Sequence, residues 1–280
     1  MEVENNINKE HEFCEFKADI SFLAKILNNV RDVIAYDKQQ KQPLILKINE
    51  GFIFNIVRKA LMERDARFLI SVTGESASGK TTLVQNAVKA CIKSKNQDVY
   101  SVVCCDDYYK DASKELKEAG NYENLFAQGF SFDNPNAIDL KLMKEHLVKL
   151  KSGIEIKSPR YDFVTCESNP DGELKRAAKV IINEGLYVLD DSLLDIPDVK
   201  VFVFTPFDII KDRWFKRAIS RGKEGKAAEM QFNNVNQTAY QYIRPTMNIA
   251  DVVINGLTTQ EYIEEITLML IEAIRKVFRG

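Results

Sequence analysis

The chain has 280 residues, of which 45% are apolar and 29% charged, with a formal net charge of -2. That length holds one large domain or two small ones around a substantial core, and the near-neutral charge argues against a bulk electrostatic pull toward nucleic acid or an anionic membrane. No apolar run approaches the roughly 20 residues that cross a bilayer, and the polar, acidic start is unlike a secretory signal, so a cytoplasmic chain is expected.

The predicted elements begin with an appendage over residues 1–40. Ile20, Leu23, Ala24, Leu27, Val30 and Ile34 recur at helical spacing and form one apolar stripe. The stripe fits a helix packed on the main domain and leaves room for a homo-oligomer contact. Asp37 to Pro43 is polar and reads as a linker, and residues 41–280 form the second unit. Residues 43–48 suggest a short strand, and Phe52, Ile53, Ile56, Val57, Ala60 and Leu61 a second helical stripe.

Residues 68–73 are an apolar, β-branched strand that leads into Gly74-Glu75-Ser76-Ala77-Ser78-Gly79-Lys80-Thr81. This is a complete G-x-x-x-x-G-K-[ST] phosphate-binding loop, and residues from Thr82 onward continue with helical spacing. The two glycines let backbone N–H groups face inward, where a side chain would block a phosphate. The helix adds its positive end to that anion site. Lys80 supplies a cation for the outer phosphates, and the Thr81 hydroxyl can ligate Mg²⁺. A nucleoside triphosphate is therefore the expected ligand, along the loop from Gly74 to Thr82.

Further strands are expected over residues 99–105, 179–183, 199–204 and 251–255, and helices over 137–150, 209–220 and 259–278. Near-continuous apolar strands separated by helices imply a parallel sheet covered on both faces, an α/β fold. Ligands bind such sheets beyond the carboxyl ends of the strands. At those ends stand Asp106-Asp107 and Glu184. A carboxylate at the first position could orient an attacking hydroxyl and accept its proton, and spacing does not choose between Asp106 and Asp107. Glu184 suits Mg²⁺. Arg213, Lys216 and Arg217 lie at i, i+3 and i+4, with Arg221 and Lys223 beyond them, and form a cationic lid suited to a transferring phosphate.

The cysteines Cys14, Cys91, Cys104, Cys105 and Cys166 are odd in number and contain no C-x-x-C pair, so no disulfide framework or zinc ribbon is suggested. Cys104 and Cys105 read as buried free thiols. His146 falls in a polar helix, on a face expected to meet solvent.

Together these residues resemble the uridine kinase family, within the wider group of phosphate-loop kinases that includes phosphoribulokinase and pantothenate kinase. The similarity runs from Ile70 to Gly256 and rests on the loop, Asp106-Asp107-Tyr108-Tyr109, Phe132-Asp133-Asn134-Pro135, Tyr161-Asp162-Phe163, Glu184-Gly185 and the basic lid. The resemblance implies a P-loop kinase fold with an N-terminal helical extension. It implies ATP or GTP as donor and Mg²⁺ as cofactor. It gives Asp106 as the base at a nucleoside 5′-hydroxyl, Asp133 as acceptor for ribose hydroxyls, and Tyr109, Tyr161 and Phe163 as contacts of the nucleoside. Thr81 and Glu184 match the Mg²⁺ neighbourhood, and Arg213 and Gln231 match positions that reach the nucleoside. Cys166 stands where the family usually has a histidine that reads the pyrimidine edge, and Lys216 and Lys223 stand where arginine is usual.

The expectation is a kinase for uridine or cytidine, with Lys80, Asp106 and Arg213 carrying the transfer. The alternatives are the same transfer to another small alcohol, such as a sugar phosphate or a pantothenate-like acid, or a nucleotide-gated binding protein without turnover. Neither nucleic acid nor membrane is an expected partner.

Overall fold

A computed structural model of the chain describes residues 43–49, 51–63, 65–94, 100–220 and 224–278, together with residues 21, 24, 25, 28, 29 and 31–33. Ile20, Leu23, Leu27, Val30 and Ile34 of the expected N-terminal stripe lie outside the described residues, as do Arg221 and Lys223 of the basic lid. The described residues between 21 and 33 are helical. Among them Ala24 is exposed, whereas Val33 is buried in one cluster with Tyr262 and Ile266.

The elements in chain order are β1 (Ile45–Ile48), α1 (Gly51–Met62), β2 (Phe68–Thr73), α2 (Lys80–Lys93), β3 (Tyr100–Cys104), α3 (Ser113–Ala119), α4 (Tyr122–Ala127) and α5 (Leu140–Lys151). They continue with β4 (Ile156–Asp162), β5 (Glu167–Lys175), β6 (Val180–Glu184), β7 (Val199–Phe204), α6 (Phe207–Ser220), α7 (Gly225–Thr238), β8 (Val252–Asn255) and α8 (Gln260–Phe278). A six-stranded sheet has the order β1-β8-β7-β2-β6-β3. Its five inner and far strands pair parallel, and only β1 runs antiparallel, against β8. β4 and β5 form a separate antiparallel pair.

Alternation along the strands fills two cores. Leu69, Val103, Ile181, Phe202 and Val253 share a cluster with Met143, Leu147 and Leu150 of α5. Val72, Val201, Val203 and Val252 join a second cluster that takes in Phe52 and Ile56 of α1 and Val84 and Val88 of α2. Both faces of the sheet are thus covered, which is why the strands read as nearly unbroken apolar runs.

The foot of the sheet is tied by Asp198. Its carboxylate accepts from the Leu69 amide at 2.8 Å and from Lys59 at 2.9 Å, and Lys151 lies at 3.1 Å. A cavity of about 650 Å³ opens at this end, between α1 and the starts of β7 and β8. Two of its three acids, Asp198 and Asp251, are engaged, the latter by the Lys200 amide at 2.9 Å. The cavity lies at the end of the sheet opposite the phosphate loop and is bordered by structural ion pairs.

His146 departs from its expected place on a solvent-facing surface. It is half-buried on α5, and its Nδ1 lies 3.0 Å from the hydroxyl of the buried Tyr108. The polar composition of α5 concealed this, because Met143, Leu147 and Leu150 turn the neighbouring face inward.

Candidate active site

The site is built from the carboxyl ends of β2, β6 and β3, which are adjacent in the sheet. The loop after β2 depends on its glycines. A Cβ on Gly74 would come within 2.7 Å of both the Ser78 Oγ and the Val203 carbonyl, and Gly79 is left-handed (φ 99°) as it enters α2. These positions exclude larger residues for steric and conformational reasons respectively. Thr205 donates to the Ser78 carbonyl at 2.8 Å and fastens the loop to the end of β7.

Lys80 and Thr81 open α2. The Thr81 hydroxyl donates to the Glu184 carboxylate at 3.0 Å, so the two residues expected near Mg²⁺ meet. The Cys104 thiol lies 3.6 Å from the other Glu184 oxygen. Thr81 and Glu184 are hard oxygen donors. Among the described residues no group of three His, Cys, Asp or Glu side chains could hold a metal. One carboxylate, one hydroxyl and phosphate oxygens are a donor set that fits Mg²⁺ rather than a transition metal.

β3 ends in a short 3₁₀ turn over Cys105–Tyr108 that carries both aspartates. They point to different tasks. Asp107 is half-buried and faces Arg160 at 4.0 Å; burial pushes its carboxyl up, against the pull of Arg160 and Lys175. Asp106 is exposed. β2 and β3 both run parallel to β6, and Lys80 follows the carboxyl end of β2 as Asp106 follows that of β3, so the two residues share one end of the sheet.

Tyr109 comes next after the turn and is buried, with its hydroxyl donating to the Phe132 carbonyl at 3.0 Å. Burial raises its pKa, and the charges of Asp106 and Asp133 add to the rise. The Tyr187 hydroxyl donates to the Asp133 carbonyl. Around Tyr109 the rings of Tyr161, Phe163 and Phe132 stand at 5.3, 5.4 and 5.7 Å, mostly edge to face. Tyr161 and Phe163 come from the tip of the β4–β5 hairpin. At that tip Cys166 is fully buried with a left-handed backbone (φ 57°), and its thiol lies 3.1 Å from the Tyr122 hydroxyl. The Tyr161 hydroxyl is buried close to the same thiol.

On the other flank of β2, Arg213 of α6 donates to the Gly256 carbonyl at 3.1 Å. It borders a cavity of about 500 Å³ with Gly79, Thr81, Thr82, Arg217 and Thr258. Sheet order thus sets Arg213 on the β7–β8 side of the loop and the aromatic cluster on the β6–β3 side. Arg217 donates to the Ser76 hydroxyl at 2.5 Å. Gln231 stands half-buried on α7, whose Phe232 packs on Trp214 of α6 at 5.3 Å.

Sequence reasoning passed over Tyr122, Tyr187 and Arg244. Arg244 holds Glu75 of the loop with two hydrogen bonds of 3.0 and 2.9 Å, across 169 positions of sequence. A lone arginine at such separation carries no local signal.

Known proteins share this arrangement of sequence and fold. Residues 69–262 match the phosphoribulokinase / uridine kinase family. Uridine-cytidine kinase-like 1 of Mus musculus is 38% identical over 192 residues, which are 67% of this chain and 33% of that protein. The uridine kinase of Proteus mirabilis is 31% identical over 189 residues, 66% of this chain and 85% of that enzyme. A crystal structure of a candidate fructose transport system kinase from Silicibacter sp. TM1040 shares the fold, with a TM-score of 0.55 at 20% identity, covering 74% of this chain and 99% of that one.

Proposed function

The chain belongs to the phosphoribulokinase / uridine kinase family, and from that premise we propose that it transfers the terminal phosphoryl group of ATP to the 5′-hydroxyl of uridine or cytidine. The observation that carries this reading is the set of groups on three adjacent strand ends: Lys80 and Thr81 after β2, Glu184 ending β6 and Asp106 after β3.

The loop from Gly74 to Thr82 cradles the phosphate chain with backbone N–H groups, and Lys80 neutralises its outer oxygens. Thr81 and Glu184 hold Mg²⁺, which when bound withdraws charge from the phosphate oxygens. Arg213 and Arg217 line the donor flank, where a purine has room beside Thr258. On the acceptor flank Asp133 accepts the ribose hydroxyls and Tyr109, Tyr161 and Phe163 pack the ring; Gln231, on α7 against α6, is assigned to the nucleoside by the family resemblance alone. Asp106 orients the 5′-hydroxyl and takes its proton as the oxygen bonds to phosphorus and the bond to the departing diphosphate breaks.

Transfer to a different small alcohol is the second reading. The Tyr122–Cys166 pair favours it, because a thiol already engaged by a phenol offers little to a pyrimidine edge.

The test is a transfer assay with radiolabelled ATP, and GTP in parallel, over uridine, cytidine, purine nucleosides, a sugar phosphate and pantothenate. Label in uridine or cytidine monophosphate is the expected result. Label only in another alcohol selects the second reading. ATP binding without acceptor-dependent transfer would overturn both and leave a nucleotide-gated binding protein.

A further inference from the structure

Glu75 is the second residue of the phosphate loop, a position at which a carboxylate opposes the ligand the loop is shaped to bind. Its side chain is largely buried, at 14% exposure. Arg244 engages both of its oxygens, Nε to Oε1 at 3.0 Å and Nη2 to Oε2 at 2.9 Å, in the paired geometry that guanidinium and carboxylate favour. The guanidinium is fixed from two other sides. Its Nη2 also donates to Asn236 of α7 at 2.6 Å, and its plane lies over the ring of Phe207 of α6 at 5.6 Å. Arg244 itself sits in the 3₁₀ turn before β8. Four segments of chain therefore converge on one charge.

We propose that Arg244 is a positioning residue that masks the Glu75 carboxylate, so that the phosphate loop accepts a triphosphate despite carrying an acid. The inference rests on the proposed binding of a nucleotide donor at this loop. A paired carboxylate presents little net charge to a nearby anion, whereas an unpaired one repels it with little solvent screening. A bracing role alone would use the same contacts to hold the loop in shape. Removing the acid shifts ATP affinity in opposite directions under the two roles. Under masking, loss of the acid leaves the Arg244 cation beside the phosphates and strengthens binding. Under bracing, loss of either partner loosens the loop and weakens it.

Calorimetric binding of ATP, ADP and adenosine to the full chain and to R244M, R244K, E75Q and the E75Q/R244M double variant tests this. Masking predicts that R244M weakens ATP about tenfold or more and that adenosine affinity does not move. R244K retains most of the affinity because the charge remains. E75Q tightens ATP, and the double variant returns to within about threefold of the parent, since it has neither charge. Weakening of ATP by all three of R244M, E75Q and the double variant would overturn masking. So would an R244M affinity equal to that of the parent. Should R244M fail to fold, the E75Q and double variants still decide the sign. Failure of the parent chain to bind ATP at all would instead strike the donor-binding reading.

Discussion

The Thr81 hydroxyl and the Glu184 carboxylate meet at 3.0 Å, although 103 residues separate them in sequence. The contact joins the phosphate loop to the end of β6. Glu184 is buried, so its charge is costly unless a partner or a cation shares it. E184Q keeps the shape and removes the charge. The Mg²⁺ concentration for half-maximal transfer should rise by roughly 10- to 100-fold. A metal titration of initial rates checks this, and an unchanged requirement would remove Glu184 from the metal site.

Asp106 and Asp107 are adjacent yet differently placed, one exposed and one against Arg160. D106N should lower kcat by about 10²- to 10⁴-fold while ATP binding persists. D107N should cost much less in turnover. Parallel kinetics and calorimetry on the two variants separate their roles, and equal turnover in D106N and the parent would exclude Asp106 as the base.

Phe163 is 48% exposed at the hairpin tip yet touches Tyr109 and Tyr161 at 5.4 and 5.0 Å. F163A removes one ring of the proposed acceptor flank. The acceptor KM should rise roughly fivefold, in line with about 1 kcal/mol for an aromatic pair, with ATP affinity unaltered. A change confined to the ATP KM would place Phe163 on the wrong flank.

Gly185 comes directly after Glu184, and a Cβ there would collide with the Cβ of Cys105. G185A must push β3 and β6 apart or distort the turn that bears Asp106. Destabilisation of about 1–3 kcal/mol is expected from overpacking, with reduced turnover. Denaturant melts report the first and rates the second; a parent-like melt would show that the contact relaxes freely.

Burial depresses the pKa of His146, with Lys149 adding to the shift. A histidine depressed in the folded state contributes stability that is complete above its ordinary value near 6.5 and is lost as pH falls through the folded value. The melting temperature of the parent should therefore drop more steeply below about pH 6.5 than that of H146Q. Parallel melting curves at the two pH extremes would refute this.

The apolar strands β2, β3, β6, β7 and β8, and helices α1, α5, α6 and α8, were legible because burial on a period of two or 3.6 leaves a pattern. β4 and β5 were not. β5 is exposed along most of its length, and both strands contain proline, so neither alternation nor β-branched enrichment marks them. α7 was missed although Ala228, Phe232 and Val235 recur at i, i+4 and i+7, because Asn and Gln between them dilute the stripe. β1 was expected as a short strand with no direction assigned; it runs antiparallel at the edge of the sheet, a direction that composition does not encode. For the candidate site, residues clustered in local motifs could be named in advance. Arg244, Tyr122 and Tyr187 could not, since their meaning lies wholly in distant partners.

Among the described residues the β4–β5 ribbon shares no backbone ladder with the six-stranded sheet. Tyr161, Phe163 and Cys166 all ride on it, whereas the anion cradle, Glu184 and Asp106 belong to the main sheet and its exits. Such a division permits evolution, or an engineer, to exchange residues 156–175 as a cassette. Acceptor preference would then drift across descendants while the donor engine is inherited intact.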